Sequence, residues 1–165
     1  MIVVHGPKPT FVRELMRLAI AKAREGIAAG QSPFGCAIAS GTDVIAAAHN
    51  TVVASTDITA HAEINAVRQA CQTLGQIHLN DCIVATTCEP CPMCMAALHW
   101  ARVERVYFGA SIADATHAGF NELKVSAADM LQQGGSRVEL LPGLLTQECQ
   151  SLFDEWLSQP GRRAY

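Results

Sequence analysis

Two short segments constrain this chain more than any other feature: His61-Ala62-Glu63 and Pro90-Cys91-Pro92-Met93-Cys94. One imidazole and two thiolates supply three ligands for a tetrahedral Zn²⁺. The fourth position is left to water or hydroxide, which is the arrangement of a catalytic zinc site rather than a closed structural one. Any fold must therefore set the two segments side by side. Each stands where a helical pattern begins, and there the free N–H groups and the helix dipole favour negative charge and ease thiol ionisation. Glu63 lies two residues past the histidine, so it turns away from the ligand direction yet stays near the metal. A carboxylate in that place can take a proton from activated water and hand it to a leaving group. Taken alone, the residues leave alternatives open. A lone Cys-x-x-Cys is equally a redox pair or two buried thiols, and Cys88 is the candidate fourth ligand of a closed site. His49, His99 and His117 read as ordinary helix or loop residues.

The surrounding pattern is an alternation of helices and strands. Phe11, Leu15, Leu18, Ala19 and Ile27 recur at helical spacing over Thr10–Gly30, with Thr10 as a cap and Gly30 as the stop. Phe34–Ala39 and Val44–Ala48 flank a turn-rich four and predict a hairpin. A polar loop, Asn50–Thr59, leads to a helix from His61 to Leu74 closed by Gly75. Cys82–Thr87 reads as a buried strand, Pro90–Ala101 as a helix and Arg105–Phe108 as a strand. A loop carrying Gly109 and Gly119 follows, then a helix at Ser126–Gln133, a strand at Arg137–Leu141 and a last helix at Thr146–Ser158. This order predicts an α/β fold, a three-layer α/β/α sandwich around a five-stranded mixed sheet whose later strands can be parallel.

Composition narrows the class further. At 165 residues the expectation is one domain, and half of the residues being apolar excludes a disordered chain. The longest apolar runs fall far short of the roughly 20 residues that span a bilayer, and MIVVHGPKPT lacks the pattern of a secretion leader. The expected location is the cytoplasm. Seven cysteines cannot form a full disulfide set, and Cys36, Cys71, Cys82 and Cys149 read as buried small apolar residues. Twelve basic against fifteen acidic residues, with no basic run, argues against a nucleic-acid partner.

The order His-x-Glu followed by Pro-Cys-x-x-Cys is the signature of zinc nucleobase deaminases. Thr59–Ile64, Thr86–Cys94 and Ala97–Arg102 resemble the cytidine deaminase superfamily, and within it the bacterial guanine deaminases more than the tRNA adenosine deaminases. The resemblance implies zinc, one ion per subunit, on His61, Cys91 and Cys94, and a proton shuttle at Glu63. It implies that Asn50 hydrogen-bonds the ring edge of a base and that Phe34 and Trp100 line the base pocket. Gly119-Phe120-Asn121-Glu122 is similar to a Gly-Phe-Asp-Asp segment whose last aspartate helps bind and protonate guanine. Glu122 is longer by one methylene, a change in reach of about 1.5 Å. The chain ends Arg162-Arg163-Ala164-Tyr165, similar to guanine deaminase tails that close over the active site, often that of the partner subunit. Residues 159–165 are thus the expected cover and Tyr165 a substrate contact.

The activity implied is hydrolytic deamination of a small nucleobase, guanine to xanthine and ammonia, by a homodimer. Val138–Leu140 through Leu145, Glu148 and Cys149 resembles tRNA adenosine deaminases instead, but the last helix lacks their basic character. A nucleoside, cytosine or an aminated triazine is a further alternative substrate. A non-catalytic zinc-stabilised binding module is the rival of another class, and Glu63 argues against it because a structural site has no use for that carboxylate.

Overall fold

The computed structural model describes residues 7–165, and the first six residues of the stretch read for a secretion leader lie outside that range. The elements run α1 (Pro9–Ala28), β1 (Gly35–Ser40), β2 (Asp43–His49), α2 (Val52–Ser55), α3 (Ala62–Leu74), β3 (Cys82–Cys88), α4 (Pro92–Trp100), β4 (Arg105–Ala110), α5 (Ile112–His117), α6 (Ala127–Gly134), β5 (Glu139–Pro142) and α7 (Thr146–Leu157). The sheet order is β2-β1-β3-β4-β5. β1 pairs antiparallel with β2 and β3, whereas β3, β4 and β5 are parallel. This is the mixed five-stranded sheet expected.

The sheet separates two cores. On one face Leu15, Met16, Ala19 and Ile20 of α1 pack with Leu152, Phe153 and Trp156 of α7. On the other, Ala62, Ala66 and Ala70 of α3 pack with Met95 and Leu98 of α4 and Leu131 of α6. Small residues let the layers close. A side chain at Gly35 would run into the backbone of Ala19, so the glycine at the start of β1 sets how near α1 lies.

Several boundaries differ from expectation for local reasons. Thr10 does not cap α1: Pro9 occupies the first turn and Lys8 precedes it without a side-chain cap. Likewise Pro92, not Pro90, opens α4. The loop Asn50–Thr59 contains the single turn α2. Gly109 belongs to β4, where a side chain would strike Cys149. The residues after it form α5, capped by a reciprocal Ser111–Asp114 box. Cys71 is only half-buried, and its thiol faces the Ile77 carbonyl at 3.8 Å. All seven cysteines are free.

Candidate metal centre and the pocket beside it

His61 and Cys91 are the N-cap residues of α3 and α4, both extended and neither bonded to its own helix through its side chain. The two helix starts meet at the carboxyl end of β3, where open α/β sheets place their ligands. His61 Nδ1 lies 3.7 Å from Cys91 Sγ and 3.5 Å from Cys94 Sγ. Zinc bonds of about 2.3 Å to sulfur and 2.0–2.1 Å to nitrogen at a tetrahedral angle require about 3.6 Å between such atoms. The three side chains therefore fit a zinc ion, and Nδ1 is the nitrogen that faces it. Among the described residues these three form the one such group of potential ligands. Cys88 is not part of it; its thiol donates to the Ser111 carbonyl at 3.4 Å.

Glu63 is 6% exposed and stands beside the cluster, not in it. Cys94 Sγ is 3.5 Å from its Oε2, and the Thr86 hydroxyl donates to Oε1 at 3.1 Å. Burial, and then the charge on Cys91, push the Glu63 carboxyl above its ordinary range, against the opposing pull of His61 and Thr86. Cys91 is held down to about 4, first by the Cys94 thiol that donates to it and then, against burial, by His61. Cys94 is pushed up by that same pairing and by burial. Burial lowers His61, but the bond to Cys91 and the charge of Glu63 outweigh it and the net direction is upward. The site thus holds one thiolate ready and yields a second proton when a metal binds.

A cavity of about 270 Å³ opens beside the cluster, lined by Ile58, His61, Cys91, Met93, Glu122 and Tyr165 among others. Burial and the Cys91 charge raise the Glu122 carboxyl. The chain's end folds back on its own chain. The Asn121 N–H donates to the Tyr165 carbonyl at 3.0 Å, and the Tyr165 ring lies 5.5 Å from that of His61. Asn50 is fully buried; its Nδ2 donates to the Tyr165 hydroxyl at 2.5 Å while its Oδ1 accepts the Val52 N–H. On the other side of Tyr165 and Ile58 lies a second cavity of about 400 Å³, which Arg163 also lines.

Three expected pocket residues do not line this cavity: Asn50, whose amide is engaged by the Tyr165 hydroxyl, and also Phe34 and Trp100. Phe34 packs edge-on against Phe120 and Phe153, with Phe120 between it and Tyr165. Trp100 corrects the expectation more strongly: it is the last residue of α4, about 13 Å along the helix from Cys91, and 78% exposed against His99. Thr86, Ile58 and Met93 were not singled out from sequence. Thr86 carried a signal, since a hydroxyl in an otherwise apolar buried strand needs a partner.

Residues 9–110 match the family pattern described as the cytidine and deoxycytidylate deaminase zinc-binding region. Guanine deaminase from Bacillus subtilis is 46% identical over 114 residues, 68% of this chain and 70% of that protein. A tRNA-specific adenosine deaminase from the same organism is 30% identical over 146 residues, 87% of each chain. Among solved structures, a guanine deaminase from Nitrosomonas europaea superposes with a TM-score of 0.82 at 26% identity, covering 95% of this chain and 97% of that one.

Proposed function

The chain belongs to the cytidine and deoxycytidylate deaminase zinc-binding family, and from that premise we propose that it hydrolytically deaminates a free purine base, guanine before others. The observation that carries this reading is the juxtaposition of a zinc-sized ligand triad, a buried non-ligand carboxylate and a cavity of about 270 Å³ that Tyr165 of the chain's own tail lines. A guanine deaminase matched at 46% identity supports the choice of base.

His61, Cys91 and Cys94 would hold the ion, one per subunit. Bound there, Zn²⁺ supplies Lewis acidity that lowers the pKa of water into the neutral range. Glu63 accepts a proton from the attacking water and delivers it to the departing amine. Water oxygen bonds to the amino-bearing carbon, the carbon–nitrogen bond breaks, and xanthine and ammonia leave. Thr86 holds one Glu63 oxygen so that the other faces the reacting atoms. Glu122 faces the base from the opposite wall, its raised pKa suiting a group that shares a proton with a ring nitrogen. Tyr165 closes the pocket and Asn50 fixes Tyr165. Asn50 is itself held on both ends of its amide, by the Val52 N–H at Oδ1 and by the Tyr165 hydroxyl at Nδ2.

A homodimer fits this reading, and Trp100, exposed on α4, is the type of anchor a second copy would cover. Among the described residues no helix is long and apolar enough to cross a membrane. With seven free cysteines, the reading places the enzyme in a reducing compartment, the cytoplasm.

Adenosine in tRNA is the second reading, favoured by the 30% identity over most of the chain. Against it, α7 carries Glu148, Asp154 and Glu155, and Arg24 is engaged by Glu155 at 2.8 Å. Zinc-loaded protein is offered guanine, guanosine, adenine, cytosine, ammeline and an anticodon stem-loop, and ammonia is measured. Release from guanine first supports the proposal; editing of the RNA with no activity on free bases replaces it.

A further inference from the structure

Glu89 has no part in the chemistry above, yet both its carboxylate oxygens are engaged. Oε1 accepts the Ala127 N–H at 2.9 Å and Oε2 accepts the Ile112 N–H at 3.3 Å. These are the first residues of α6 and α5. One side chain therefore satisfies an orphan donor at each of two helix starts, where the positive dipole ends suit a carboxylate. Its own N–H donates to the Ala110 carbonyl at 2.8 Å, fixing it to the end of β4.

The location of these bonds gives Glu89 its importance. Glu89 is two residues from Cys91, in the turn that joins β3 to the ligand helix. Between the two amides it holds lies the segment that contributes Asn121, Glu122 and Leu123 to the cavity wall. Residues 120–126 have no helix or strand of their own, so the loop's depth depends on how its flanks are anchored. The Asn121–Tyr165 bond ties it to the tail, and Glu89 ties its flanking helices to the metal-bearing turn.

We infer that Glu89 is a positioning residue: it couples the metal-bearing turn to the loop carrying Glu122 and so sets how far Glu122 reaches toward the substrate. The inference rests on the reading of Glu122 as a substrate-facing group. A carboxylate suits this role because two N–H donors need two acceptors. Glutamine offers one oxygen and turns an NH₂ toward the other donor.

The test compares zinc-loaded wild type, Glu89→Ala, Glu89→Gln, Glu122→Ala and the double variant Glu89→Ala/Glu122→Ala on guanine. Glu89→Ala should keep full zinc occupancy and lose about ten- to a hundredfold in kcat/KM, the scale of a misplaced reactive group. Glu89→Gln should lose less. In the Glu122→Ala background the further loss should stay below about twofold, because the partner through which Glu89 acts is gone. Equal losses in both backgrounds, or none in either, overturn the inference. Where Glu89→Ala does not fold, Glu89→Gln carries the same comparison. Hydrogen exchange over residues 119–126 separates this claim from the functional reading. Exchange there should quicken in the Glu89 variants even in a protein inert on guanine, and unchanged exchange overturns the inference.

Discussion

Replacing Thr86 by valine removes one hydroxyl from the middle of the sheet and tests how Glu63 is held. The Thr86 hydroxyl has a single proton and two acceptors in reach, Glu63 Oε1 at 3.1 Å and the Gly35 carbonyl at 3.5 Å. The shorter contact to a charged acceptor takes it. Both residues are buried, so water cannot replace the bond. A hydrogen bond to a charged group under those conditions is worth about 1.5–3 kcal/mol. If that stabilisation is lost while Glu63 is handling the proton, kcat falls about 10- to 100-fold. The direction of the pH effect also follows. The bond favours the charged carboxylate, so its loss raises the Glu63 pKa further and moves the acid limb of kcat/KM to higher pH. Steady-state ammonia release from guanine across pH, with zinc content measured on the same samples, gives both quantities. Unchanged kcat at full zinc occupancy, with no shift of the acid limb, refutes the claim that Thr86 orients the carboxylate.

Tyr165→Ala should merge the two cavities it separates, raising KM for guanine and admitting guanosine, read as xanthosine formation; a variant still closed to guanosine contradicts the tail's role as a wall. Ser111→Ala breaks the α5 capping box and should cost about 1–2 kcal/mol in urea unfolding near neutral pH. Burial raises the Asp114 carboxyl, but the Ser111 N–H and hydroxyl and the Gln150 amide outweigh it, and its folded pKa lies below normal. Its contribution is therefore present above the unfolded pKa of about 3.9 and lost as pH falls through the lower folded value, so the variant's deficit should shrink in strong acid. Chelation of zinc should lower Tm, since free metal at about a thousand times its Kd adds about 4 kcal/mol to the folded state; calorimetry with and without chelator measures it, and an unchanged Tm contradicts metal binding at these residues.

The parts of this molecule legible in its sequence are those where chemistry or periodicity leaves one solution. His61, Cys91 and Cys94 could be read as a set because three ligands need converging helix starts, and Glu63 because its offset keeps it out of the coordination sphere. The central strands were legible as apolar runs bounded by turn residues. Trp100 was expected at the pocket from the resemblance alone, and nothing local to the chain shows that it stands exposed at the far end of α4 from Cys91. Gly109 looked like a loop residue, yet it is a strand residue made small by Cys149 across the layer, a contact no local pattern encodes. The helix α5 was missed although Ser111-x-x-Asp114 spells its cap, because the neighbouring glycines outweighed it. Glu89 left no trace in sequence: its partners are backbone amides 23 and 38 residues away.

If this triad and Glu63 together remove ammonia from guanine, turnover needs both. Xanthine formation by zinc-loaded wild type and Glu63→Gln, with zinc stoichiometry determined for both, tests it most directly. Wild type should turn guanine over, and Glu63→Gln should lose that turnover while retaining one zinc per chain. Equal turnover by the two proteins, or a wild type that binds zinc and leaves guanine intact, contradicts the proposed activity.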